Sequence, residues 1–153
     1  MMTKASKVIH ALQGRTLVTA ESLTGGGIGA VLTAVPGASA VFQGGIISYT
    51  DEVKREVLGV PRAYLQTFGA VSAPVAEAMA VGARDLLHAD MAVSVTGLAG
   101  PDGDAFGNPV GTVFIGYADA NSTRVLEFHF QGDREEVRDQ TIDAALQIIL
   151  ENA

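Results

Sequence analysis

Val18-Thr-Ala-Glu-Ser-Leu-Thr-Gly-Gly-Gly-Ile-Gly-Ala30 reads as an apolar strand, a Glu-Ser-x-Thr-Gly-Gly turn and the opening of a helix. A strand that enters a helix through a glycine-rich turn is a building unit of parallel α/β sheets. The same turn aims backbone N–H groups and hydroxyls at one point, where an anion or a polarised carbonyl can sit. Two functions can be built on it, a dinucleotide-binding loop or a hydrolase pocket.

Val8, Ile9 and Leu12 recur at helical spacing, which predicts a helix over residues 3–13 ending at Gly14. Thr16–Ala20 is a buried strand, and the glycines lead into a helix over 24–34, stopped by Pro36-Gly37. Val41–Tyr49 reads as a second strand in which Gly44 and Gly45 permit a bulge. Short helices follow over 52–58, capped by Asp51, and over 61–67. Ser72 is the expected N-cap of an Ala-rich helix over 73–87, and Ala92–Thr96 is a third buried strand that empties into a Gly/Asp/Pro loop over 97–109. Val110–Ala118 and Arg124–Phe130 form an antiparallel pair. A last helix over 134–151, with Asp133 as its N-cap, turns Val137, Ile142, Leu146 and Ile149 inward.

This alternation predicts an α/β fold, a three-layer α/β/α sandwich. Its mixed, mostly parallel sheet would have about five or six strands, one of them reversed. Ligands of such sheets bind at the carboxyl ends of the parallel strands. Three polar clusters should converge there: Ser22 with Thr24, Tyr49 with Asp51 and Lys54, and Thr96 with Gly97.

The 153 residues fit one domain, and 48% hydrophobic content suffices for a core. Cysteine is absent, which excludes thiolate metal sites and a cysteine nucleophile. The formal charge of −7 argues against nucleic acid as a partner, because phosphate backbones need a basic face. No apolar stretch reads as a signal h-region or a membrane span, so a cytoplasmic protein with a small-molecule site is expected.

Gly25-Gly-Gly-Ile-Gly-Ala30 fits the dinucleotide pattern G-x-G-x-x-[GA], with Asp51 downstream, but adjacent glycines satisfy that pattern easily. They also serve a tight turn and close helix packing. The three histidines are isolated, which leaves a Ser-His-Asp arrangement unsupported. A serine hydrolase without histidine can use lysine as its base, and Lys54 is the candidate because Lys4 and Lys7 lie in the first helix. Its amine would need a depressed pKa, through burial or a cationic neighbour such as Arg55 or Arg134; as a helix residue it also reads as an ordinary surface lysine. Asp102-Gly-Asp104 fails as a calcium loop, since Phe106 occupies a ligand position and no Glu closes the loop.

Thr19-Ala-Glu-Ser-Leu-Thr-Gly-Gly26, Val35-Pro-Gly-Ala-Ser-Ala-Val-Phe42, Gly44–Lys54, Gly69-Ala-Val-Ser72, Val95-Thr-Gly-Leu-Ala-Gly-Pro101, Pro109-Val-Gly-Thr-Val113 and Gly132-Asp-Arg134 follow one another along the chain. Together they resemble the C-terminal domain family of the competence/damage-inducible protein CinA, which includes the PncC-type nicotinamide-nucleotide amidohydrolases. The resemblance implies hydrolysis of nicotinamide mononucleotide to nicotinic acid mononucleotide and ammonia in NAD recycling, with no metal or other cofactor, by a homodimer. It implies Ser39 as nucleophile, Lys54 as base and Tyr49 as part of the proton-transfer network. Ser22, Thr24, Gly25, Gly26, Thr96, Gly97 and Arg134 would bind substrate, with the phosphate near Arg134 and the helix that follows Thr24. Ser22 is a rival nucleophile because it lies in the glycine-rich turn itself. The chain departs from the family in Leu23, where many members have cysteine, in Asn108, where lysine is common, and in Asp51, which replaces asparagine. Asp51 would either raise the lysine pKa or cap the helix. The alternative expectation is a weak or inactive nucleotide-binding or regulatory module of the same fold.

Overall fold

Five strands form one sheet in the order β2-β1-β3-β4-β5. In chain order they are β1 (Leu17–Glu21), β2 (Phe42–Ile47), β3 (Met91–Gly97), β4 (Thr112–Ala118) and β5 (Thr123–His129). The computed structural model describes residues 2–153. β1 pairs in parallel with both β2 and β3, whereas β4 runs antiparallel to β3 and to β5. Four strands therefore share one direction and β4 alone is reversed, as the sequence predicts. β2 carries one irregularity, beside Leu17 and Val18 of β1.

Among the described residues six α-helices cover the faces: α1 (Lys4–Ala11), α2 (Gly27–Thr33), α3 (Asp51–Glu56), α4 (Arg62–Phe68), α5 (Ala73–Leu87) and α6 (Arg134–Glu151). Strand residues alternate between the faces. Leu17, Met91, Val93, Val95, Val113, Ile115 and Tyr117 bury against α1, α2 and α6. Val18, Ala20 and Ala92 bury against α5 and the Leu58–Leu65 segment. The result is the expected three-layer sandwich. Gly82 lets α5 pass close to the Leu58 carbonyl, where a Cβ would collide with backbone.

The local differences from expectation have simple causes. α2 begins at Gly27 rather than at residue 24, because residues 22–26 form a turn closed by Gly25 N–H to Ser22 O and Gly27 N–H to Thr24 O. Gly25 and Gly26 have φ of 59° and 99° there, a left-handed backbone that suits glycine. The cap of α3 is Thr50, whose hydroxyl accepts from Val53 N–H, and Asp51 is the first helical residue. Ser72 occupies the N-cap position of α5, but its hydroxyl donates back to Gly69 O. Residues Ala38–Ala40 form a single 3-10 turn before β2. Asp133 caps α6 as predicted, in a reciprocal capping box with Glu136.

Candidate active site

One residue beyond the last register pair of each parallel strand stands a hydroxyl. Glu21 pairs with Ile47 and with Val95, and the ladders continue through Ser48 N–H to Glu21 O at 2.8 Å and Ser22 N–H to Val95 O at 3.1 Å. Ser48, Ser22 and Thr96 therefore sit side by side at the strand tips, on neighbouring strands about 4.8 Å apart. All three are buried. Alternation puts them on the face of Ile46, Ala20 and Ser94, the face covered by α5.

Lys54, on α3, projects into this row and is 1% exposed. Its Nζ donates to Ser22 Oγ at 3.1 Å, to Ser48 O at 2.8 Å and to Tyr49 O at 3.3 Å. The Lys54 pKa falls from 10.5 to about 8, because burial strips solvent from the ammonium and outweighs the opposing attraction of Asp51. The amine is thus about one-tenth neutral at pH 7. A neutral amine beside Ser22 has a lone pair with which to take the hydroxyl proton.

The turn that presents Ser22 is held from inside. Glu21 is buried, and its carboxylate accepts four hydrogen bonds: Thr19 Oγ1 at 3.1 Å, Thr24 Oγ1 at 2.6 Å, Ile28 N–H at 2.9 Å and Gly29 N–H at 3.1 Å. Arg138 adds a clamp from α6, donating from Nε to Leu23 O at 2.9 Å and from Nη2 to Thr24 O at 3.2 Å. Thr24, Gly25 and Gly26, expected to bind substrate, make their contacts in and around this turn. Thr24 is fully buried and gives its hydroxyl to Glu21, Gly25 lies against Arg138, and Gly26 lies against Ile47. The N-terminus of α2 is likewise taken: an internal carboxylate already holds the N–H groups that a phosphate would need. The dinucleotide reading fails on the same ground.

The cleft above the row has a volume of about 360 Å³, within the range of small-ligand pockets. Ser22, Tyr49, Lys54, Thr96, Gly97 and Arg134 all line it, as do Leu23 and the Leu98–Asp102 segment after β3. Tyr49 is 57% exposed and forms one wall. Arg134, at the start of α6, donates to Tyr49 Oη at 3.1 Å and to Gly100 O, so one guanidinium joins the β2–α3 connection to the loop after β3. Thr96 donates its hydroxyl to Ala70 O at 2.9 Å. The N–H groups of Leu23 and Ala99 have no partner among the described residues.

Ser39 is not part of this assembly. It lies exposed on the 3-10 turn at the foot of β2, in a separate concavity with Thr33, Val35, Pro36, Phe42 and Gln43. All six residues of β2, about 20 Å of extended chain, separate that foot from the tip that leads to Lys54. Arg138 and the glutamate cradle escaped sequence reasoning. The former was legible as an arginine one helical turn after Arg134 on α6.

Sheet and cleft together define an open α/β domain with a polar pocket at the carboxyl edge of its parallel strands. The chain belongs to the CinA C-terminal domain family, whose model matches residues 2–153. It is 53% identical over 133 residues to a CinA-like protein of Geobacter sp. (strain M21), covering 87% of this chain and 32% of that protein. A CinA-like protein of Synechococcus sp. (strain CC9311) is 61% identical over 102 residues, 67% of this chain and 24% of its own. The chain thus spans about a third of the length of the curated relatives it matches. Among solved structures it is similar to the competence damage-inducible protein A of Klebsiella pneumoniae subsp. pneumoniae MGH 78578, with a TM-score of 0.94, 36% identity and coverage of 97% and 93% of the two chains. The competence/damage inducible protein of Agrobacterium tumefaciens gives a TM-score of 0.93 and 39% identity, with coverage of 97% and 92%.

Proposed function

We propose that this domain is an amidohydrolase that cleaves the carboxamide of nicotinamide mononucleotide, with Ser22 as nucleophile and Lys54 as base. The 3.1 Å contact between Ser22 Oγ and a buried Lys54 amine of depressed pKa carries the reading. Neutral Lys54 takes the Ser22 proton as Oγ attacks the amide carbon. The oxyanion forms toward the Leu23 and Ala99 N–H groups, and Lys54 then gives the proton to the nitrogen as the C–N bond breaks and ammonia leaves. Water attacks the resulting ester, Lys54 takes its proton, and the proton returns to Ser22 Oγ as the carboxylate departs. Tyr49 and Arg134 stand at the mouth, where a ring and a phosphate of the substrate meet an aromatic face and a cation. The resemblance assigns the nucleophile to Ser39. Ser22 is preferred because it touches the base, whereas Ser39 lies at the other end of β2.

The test is release of ammonia and nicotinic acid mononucleotide from nicotinamide mononucleotide by the pure protein in metal-free buffer. Multiple turnovers are expected; absence of product sinks the proposal. One observation favours a silent binding module instead. The Lys54 amine already has three acceptors and the Asp51 charge nearby, all of which stabilise its protonated form. Tight binding of the nucleotide without ammonia would select that reading.

A further inference from the structure

The hydroxyl row holds one member with no task in the chemistry above. Ser48 is 0% exposed, and its Oγ is the buried side-chain oxygen without a hydrogen-bond partner among the described residues. A buried hydroxyl left unpaired destabilises the fold, so its retention calls for an explanation. Its surroundings supply one. The carbonyl of Ser48 holds Lys54 Nζ at 2.8 Å, and its N–H continues the β1–β2 ladder beside Ser22. The Oγ lies next to Ser22 in the row, on the Lys54 side of the sheet.

In the resting site the three N–H bonds of the ammonium go to Ser22 Oγ, Ser48 O and Tyr49 O. Acylation turns Ser22 Oγ into an ester oxygen, a poor acceptor. Neutral Lys54 keeps its two N–H bonds on Ser48 O and Tyr49 O, but once it takes the proton of the attacking water it is an ammonium again, and its third N–H faces an ester oxygen where the Ser22 hydroxyl had been. Ser48 Oγ, buried on the same face of the sheet and without a partner, can accept in its place.

We infer that Ser48 is a positioning residue that accepts a hydrogen bond from the Lys54 ammonium formed as water attacks the acylated Ser22, holding that cation in place through deacylation. This rests on the Ser22–Lys54 reading given above. A hydroxyl that acts only after acylation should affect kcat and KM together and leave kcat/KM alone, since kcat/KM reports the steps up to acylation.

The experiment measures steady-state kinetics on nicotinamide mononucleotide for wild type, Ser48→Ala and Ser48→Cys, with mass spectrometry of the quenched enzymes. Cysteine keeps the volume but its sulfur is a weak acceptor. Both variants are expected to lose kcat about tenfold, the scale of one hydrogen bond to a charged group. KM should fall by the same factor, an acyl adduct should accumulate on Ser22, and thermal stability should hold, because the hydroxyl removed was unpaired. Rescue by cysteine would make the role one of packing and overturn the inference. So would unchanged kinetics, or a loss confined to kcat/KM. If wild type yields no ammonia, or Ser22→Ala retains full turnover, the amidase reading itself fails and the role of Ser48 goes with it.

Discussion

The tip and the foot of β2 each present a serine, and their surroundings could hardly differ more. At the tip, the strand ends in Ser48 and Tyr49, and Lys54 returns from α3 to touch Ser22. At the foot, Ser39 sits exposed on a 3-10 turn, and neither base nor acid lines its concavity. A serine hydroxyl is a weak nucleophile until a neighbouring base takes its proton. On the proposed reading the tip therefore holds the reactive hydroxyl and the foot an ordinary one. Within one chain Ser39 has nothing to activate it; only a second copy could bring a base to it.

The difference between the two ends can be broken most severely at Lys54. Replacing it with methionine should lower kcat/KM on nicotinamide mononucleotide by at least about 10³-fold. The same variant reports on burial. The folded pKa of about 8 lies below the ordinary 10.5, so the unfolded chain binds more protons between those values. The cost of burying the ammonium is fully present below pH 8 and is relieved as pH rises toward 10.5. Wild type should gain stability relative to Lys54→Met across that window, as followed by denaturant unfolding at several pH values.

Glu21→Gln comes next in size. An amide cannot accept all four of the bonds that the carboxylate accepts, so the turn shifts beneath Ser22. A loss of roughly 10- to 100-fold in kcat is expected, together with about 2 kcal/mol of stability. Arg134→Ala should act on binding, raising KM about tenfold with kcat nearly intact, because its contacts are with Tyr49 and the loop after β3 rather than with Ser22. The smallest effect should come from Asp51→Asn. Its charge opposes the effect of burial on Lys54, so its removal should move the midpoint of the kcat/KM–pH profile down from about 8.

The sandwich was legible because its signals are local. Apolar runs marked the strands, helical spacing marked α1 and α6, and Asp133 marked a start. The convergence of Ser22, Tyr49, Lys54, Thr96 and Gly97 on one sheet edge also followed from topology alone. What stayed hidden depended on three-dimensional contact. Thr24 is a plausible ligand in sequence, yet it bonds to Glu21, and the glutamate reads as a motif letter until its carboxylate is seen closing α2. Ser48 gave no signal in the sequence, since its importance comes from standing across the ladder from Ser22. The acidic neighbour of Lys54 left the sign of its pKa shift open, and only the depth of burial decides it.

The most direct test compares Ser22→Ala with Ser39→Ala, both purified and checked for folding, in the release of ammonia from nicotinamide mononucleotide. The structure leads us to expect a loss of at least about 10³-fold for Ser22→Ala and less than about threefold for Ser39→Ala. An inactive Ser39→Ala beside an active Ser22→Ala would contradict the account and move the nucleophile to the foot of β2.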